Sequence, residues 1–144
     1  MIRTYVRIQS AVLRTAPRRA VCDDQPVRGS VLIVDDHPSF RASARAVLES
    51  EGFEVVGEAG DGRAALTAVE ELEPEIVLLD IQLPDMTGFD VCDVLASRNG
   101  ATPAVILVSS RDVSDYGELI TASCARGFVP KADLSGEAVA ALLA

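Results

Sequence analysis

The sequence predicts an α/β domain built on an open, doubly wound parallel sheet. From residue 31 onward, short apolar runs alternate five times with longer stretches of helical spacing. Four of the runs are apolar at every position or nearly so, the pattern of strands covered on both faces. A closed eight-fold barrel needs roughly 200 residues or more, and this chain has 144. Strict strand–helix alternation with right-handed crossovers then places helices on both faces of an open sheet.

The predicted strands are 31–34, 53–56, 76–79, 104–108 and a shorter one at 127–129. Between them Phe40, Ala44, Val47 and Leu48 share one helical face, as do Ala65, Val69 and Leu72, and then Val91, Val94 and Leu95. Val113, Tyr116, Ile120 and Cys124 form a weaker fourth stripe, and Val139, Leu142 and Leu143 a fifth. The length predicts one folded domain, 30–144, with no room after the fifth helix for an output domain. Residues 1–29 show no clean period and are read as a basic, disordered arm.

Composition narrows the function. Residues 1–30 carry six arginines against Asp23 and Asp24, so the formal charge of -9 divides into +4 for this stretch and -13 for the rest. A body so negative does not favour a phosphate backbone, so direct contact with nucleic acid is not expected. No apolar run suits a bilayer span, and residues 1–29 lack the apolar core of a secretory signal. Cys22, Cys92 and Cys124 show neither CxxC spacing nor a His partner, which argues for reduced thiols in the cytoplasm. His37, the sole histidine, is read as a polar neighbour of a site.

In open α/β sheets ligands sit beyond the carboxyl ends of the strands. There the sequence places Asp35 and Asp36 after the first strand, Asp80 after the third, Ser109 after the fourth and Lys131 after the fifth. Three carboxylates at one rim need a cation, and Lys131 is the sole lysine of the chain. Oxygen ligands without thiol or imidazole select a hard ion, and magnesium is the one expected. A carboxylate there can attack phosphorus, with the metal and Lys131 screening the equatorial oxygens and Ser109 adding a hydroxyl donor. Asp36 is alternatively a helix cap, Asp61 before Gly62 reads as a cap, and Asp85 and Gly88 as turn residues after Pro84.

Four separated motifs, VLIVDDHP, IVLLDIQLPDMTGFD, VILVSS and GFVPK, resemble the receiver domains of two-component response regulators from residue 31 to the end. The resemblance implies the flavodoxin-like strand order 2-1-3-4-5, with Asp80 as the phosphoacceptor for a sensor histidine kinase. It implies Asp36 as a direct magnesium ligand, Asp35 as one acting mainly through water, and the backbone carbonyl of Gln82 as a further ligand. It also implies that Ser109 and Lys131 contact the phosphoryl group, that Phe128 is an aromatic switch coupled to Ser109, and that copies associate through the fourth helix, fifth strand and fifth helix. Plain core packing is the rival reading of Phe128, since an aromatic beside a buried strand needs no switching role. A signalling phosphoacceptor, limited to self-catalysed phosphotransfer and autodephosphorylation, is expected rather than an enzyme. An aspartate-nucleophile phosphatase wants an acid where Gln82 stands, and a dinucleotide-binding turn wants GxGxxG where DDHPSF stands. A receiver-fold module that binds a partner without being phosphorylated is the remaining rival.

Overall fold

A strand of Val and Ile that is apolar throughout must be buried on both sides, and that requirement organises the molecule. The computed structural model describes residues 28–98, 102–111, 114 and 116–143, so most of the proposed arm and Val113 lie outside the described residues. Five parallel strands, β1 (Ser30–Val34), β2 (Glu54–Ala59), β3 (Ile76–Asp80), β4 (Ala104–Ser109) and β5 (Gly127–Pro130), form one sheet in the order β2-β1-β3-β4-β5. Helices α1 (Pro38–Ser50), α2 (Gly62–Leu72), α3 (Gly88–Ser97), α4 (Gly117–Ala122) and α5 (Gly136–Leu143) connect or follow them. The predicted fold class and strand order are both present.

Alternate residues of the central strands feed two cores. Leu32, Val34, Val77, Leu79, Val105 and Leu107 meet Ala65 and Val69 of α2 and Val91, Cys92 and Leu95 of α3. Val31, Ile33, Leu78, Ile106 and Val108 meet Ala44 and Leu48 of α1 and Val139 of α5 on the other face. Each fully buried Leu or Ile here contributes roughly 2 kcal/mol relative to an exposed one.

Several expectations are corrected. β2 is an edge strand that begins one residue later than expected and continues to Ala59, and only Val55 and Ala59 in it are buried. It is therefore not covered on both faces, and its outer Glu58 is taken up by Arg41 and Arg45 of α1 at 3.0 and 2.9 Å. Val94 is exposed, because the buried arc of α3 runs through Gly88, Val91, Cys92 and Leu95 and leaves it roughly 100° round the helix. Leu72 is also exposed, at the last residue of α2 where the helix passes the edge strand. Helix α4 has only six residues and buries none of them, while Cys124 is exposed.

The first turn of α2 shows how loops are tied to helices. Asp61 caps it, accepting from the Ala64 N–H at 2.7 Å, as its place before Gly62 suggests. The carboxylate of Asp85, from the β3–α3 loop, takes the first two donors of the helix, Gly62 N–H at 2.8 Å and Arg63 N–H at 2.9 Å. These bonds hold the Asp85 carboxyl below the usual carboxylate range. Asp61→Ala is expected to cost about 1 kcal/mol, read as a lower urea midpoint at unchanged m-value.

Candidate functional site

The carboxyl ends of β1, β3, β4 and β5 lie on one edge because the strands are parallel and in register, with Val34 opposite Leu79, Asp80 opposite Val108 and Ser109 opposite Pro130. Asp35 follows β1, its N–H still bonded to the Ala59 carbonyl, and its side chain is fully buried. Pro38 starts α1 two residues beyond Asp36 and forces the chain to turn over the edge. The His37 N–H donates to Asp35 Oδ1 at 2.8 Å, and His37 Nδ1 lies 3.1 Å from Asp35 Oδ1 and 3.0 Å from Asp36 Oδ1. Asp36 is half-exposed and is not the helix cap, a position held by His37. Arg41 donates to the Asp35 backbone carbonyl at 2.6 Å while Glu58 holds the same guanidinium, so the turn is clamped from α1.

Asp80 ends β3 and is 4% exposed. Its loop is drawn in tightly: Ile81 N–H donates to Val108 O at 3.1 Å and Gly88 N–H to Ile81 O at 2.7 Å. A Cβ at position 88 would stand 2.6 Å from the Asp80 carbonyl oxygen, which is why this close approach takes glycine. The Gln82 N–H faces Asp80 Oδ1 at 3.4 Å, and the Gln82 side chain is exposed.

Lys131 begins the short 3-10 turn after β5. Its Nζ lies 2.5 Å from Asp35 Oδ2 and 3.5 Å from Asp80 Oδ2, and 4.7 Å from the centroid of the Phe40 ring. Burial pushes the Asp80 carboxyl up to about 6, the Asp35 charge adds to the rise, and Lys131 opposes both. Asp35 Oδ2 is buried and accepts no hydrogen bond of good geometry, so its contact with the ammonium is an ion pair.

Asp35, Asp36, His37 and Asp80 each offer a ligand atom within 4.8 Å of the others. Three of these donors are carboxylate oxygens, one of them from the fully buried Asp35. The set fits a hard divalent ion such as magnesium, with His37 at the exposed rim.

Ser109 is buried at the end of β4, where its Oγ accepts from the Arg111 N–H at 3.0 Å. Phe128 is half-buried on the opposite face of the sheet from Phe40, packed with Tyr116, Ile120 and Ala125 against the α2–α3 core. Asp35, Asp36, Asp80 and Lys131 are thus brought together, and Ser109 stands at the same edge. Phe128 packs, partly buried, against the α2–α3 core. Sequence reasoning missed the Arg41 clamp, the Asp85 cap and the ring of Phe40 over Lys131. Arg41 and Phe40 lie in the first turn of the helix that follows the acid pair, but neither residue type marks such a role by itself.

Residues 31–142 match the family described as the response regulator receiver domain. The chain belongs to that family. It is 47% identical over 89 residues to the DNA-binding response regulator MtrA of Mycolicibacterium smegmatis, covering 62% of this chain and 38% of that protein. It is 41% identical over 103 residues to the nitrate/nitrite response regulator NarP of Escherichia coli, covering 70% and 47%. The chain therefore spans less than half the length of these curated relatives. Among solved structures, the signal receiver domain of the response regulator NarL from Mycobacterium tuberculosis superposes with a TM-score of 0.70 at 35% identity, over 82% of this chain and 95% of that one. Receivers of this family are components of two-component signalling rather than classical enzymes. No helix among the described residues is long and apolar enough to cross a membrane.

Proposed function

We propose that this receiver accepts a phosphoryl group on Asp80 from a sensor histidine kinase and changes conformation in response. The observation that carries the reading is Lys131, whose ammonium faces Asp35 and Asp80 together at the strand edge. A carboxylate oxygen of Asp80 attacks phosphorus, the P–N bond of the donor phosphohistidine breaks, and the imidazole leaves with its electron pair and gains a proton. Lys131 takes a share of the charge on the transferring oxygens, and the Ser109 hydroxyl donates to another. Asp35, Asp36, Asp80 and the backbone carbonyl of Gln82 are the groups that would hold magnesium. The ion, when bound, neutralises charge on the phosphoryl oxygens.

Hydrolysis of the acyl phosphate by water returns Asp80 to its starting state, so turnover is self-catalysed and limited to this chemistry. Phosphorylation favours an arrangement in which Ser109 moves to the phosphoryl group and Phe128 turns inward, a shift between existing populations. The partners proposed are the kinase and a second copy through α4, β5 and α5, with no nucleic acid contact by this domain and a cytoplasmic location. Mixing the chain with magnesium and acetyl phosphate is expected to add one labile phosphoryl mass. Asp80→Ala should abolish it. An adduct that survives that substitution, or none from any small donor or kinase, favours the module that binds without being phosphorylated.

A further inference from the structure

The Lys131 ammonium has carboxylates on one side and the Phe40 ring on the other, with Nζ 4.7 Å from the ring centroid. The side chain of Lys131 is only 16% exposed, so the ring occupies a side from which water would otherwise solvate the ammonium. Phe40 is itself half-buried and packed against the α1–α5 core, and it sits in the first turn of α1, directly after the turn that carries Asp35 and Asp36. A lysine stem is flexible and its ammonium strongly hydrated, so a partner is needed to hold it at one place. An acidic residue on that side would draw the ammonium away from the acids. The π face attracts the cation without bringing a competing negative charge.

We propose that Phe40 is a positioning residue that holds the Lys131 ammonium against the Asp35–Asp80 carboxylate pair through its ring face. The consequence for phosphoryl transfer rests on the function proposed above, whereas the positioning itself does not. Phe40 touches no reacting atom. It fixes the place of the one side chain that does so from β5, and thereby links the start of α1 to the end of β5.

The test uses the whole chain, with Phe40→Leu, which keeps an apolar side chain but removes the ring, and Phe40→Trp, which keeps a π face. Lys131 is the sole lysine, so its ε-methylene resonance is identified without ambiguity. In the parent it is expected to be displaced upfield by the ring current, to relax toward the random-coil position in Phe40→Leu, and to remain displaced in Phe40→Trp. The rate constant for phosphorylation by acetyl phosphate at saturating magnesium is expected to fall roughly three- to thirty-fold in Phe40→Leu. Magnesium affinity by calorimetry should be unchanged, and Phe40→Trp should retain most of the rate. A merely structural role predicts instead that magnesium affinity and rate fall together in both variants, and that result overturns the proposal. So does an ε-methylene resonance that is the same in the parent and in Phe40→Leu. Absence of any phosphoryl adduct on the parent, with the ring-current displacement present and lost in Phe40→Leu, supports the positioning and sinks the phosphoacceptor reading alone.

Discussion

Lys131→Met is expected to slow phosphorylation of Asp80 by about 10²- to 10³-fold while leaving the chain folded, the effect of losing one preorganised charge at a developing anion. Methionine keeps the length of the stem and removes only the ammonium. Asp35, fully buried, and Asp80, 4% exposed, then face each other with no side-chain cation from β5. Two consequences follow in the same direction. Asp80 becomes harder to ionise, because Lys131 is the chief group that opposes burial and Asp35 in setting its proton affinity. The transferring oxygens also lose their charged donor. The measurement is the pseudo-first-order rate of adduct formation with acetyl phosphate, with circular dichroism showing that the fold persists. A loss of less than about three-fold would place the ammonium outside the chemistry.

Asp80→Asn is expected to stabilise the chain by about 1–3 kcal/mol near neutral pH without magnesium. The Asp80 carboxyl is raised from 3.8 to about 6, first by burial and then by Asp35. A raised acid binds its proton more tightly in the folded chain than in the unfolded one. Stability therefore falls as pH rises from about 4 through about 6, and the penalty is fully present above that range. At about 1.36 kcal/mol per pH unit the rise from 3.8 to about 6, in which the opposing pull of Lys131 is already included, sets an upper bound of about 3 kcal/mol on the penalty. Urea midpoints in chelator at pH 5 and pH 8 should differ less for the asparagine variant than for the parent. Adding magnesium should stabilise the parent at pH 8, by mass action on the folded state, and the variant much less. A parent chain whose stability rose from pH 5 to pH 8 more steeply than that of the variant would contradict the electrostatic account.

The two expected effects have one origin: like charges concentrated at a sheet edge. That concentration was readable in the linear chain because parallel strands discharge their next residues onto the same rim, so that Asp35, Asp36, Asp80, Ser109 and Lys131 announce themselves by following apolar runs. Strand β2 was legible only in part. An edge strand is half-buried and tolerates Gly57 and Glu58, which a search for continuous apolar runs leaves out. Helix α3 misled in one position because Val94 is as apolar as Val91, and only the placement of the sheet decides which arc of a helix is covered. Helix α4 was weak in the sequence and is short in the fold, with no residue fully buried and only Ile120 packed against the core, a case in which a poor stripe reported poor packing faithfully.

What the linear chain determined by itself was the alternation of elements, the parallel sheet, and the chemical character of one rim, since each depends on local spacing and residue type. What only the tertiary structure decided was which neighbours restrain those groups. The Phe40 ring over Lys131, Arg41 on the Asp35 carbonyl, and Asp85 on the first turn of α2 join residues 91, 6 and 22 to 23 positions apart. Such contacts depend on how elements pack rather than on any local pattern. An aromatic, an arginine or an aspartate looks the same in sequence whether it faces water or holds a charge in place.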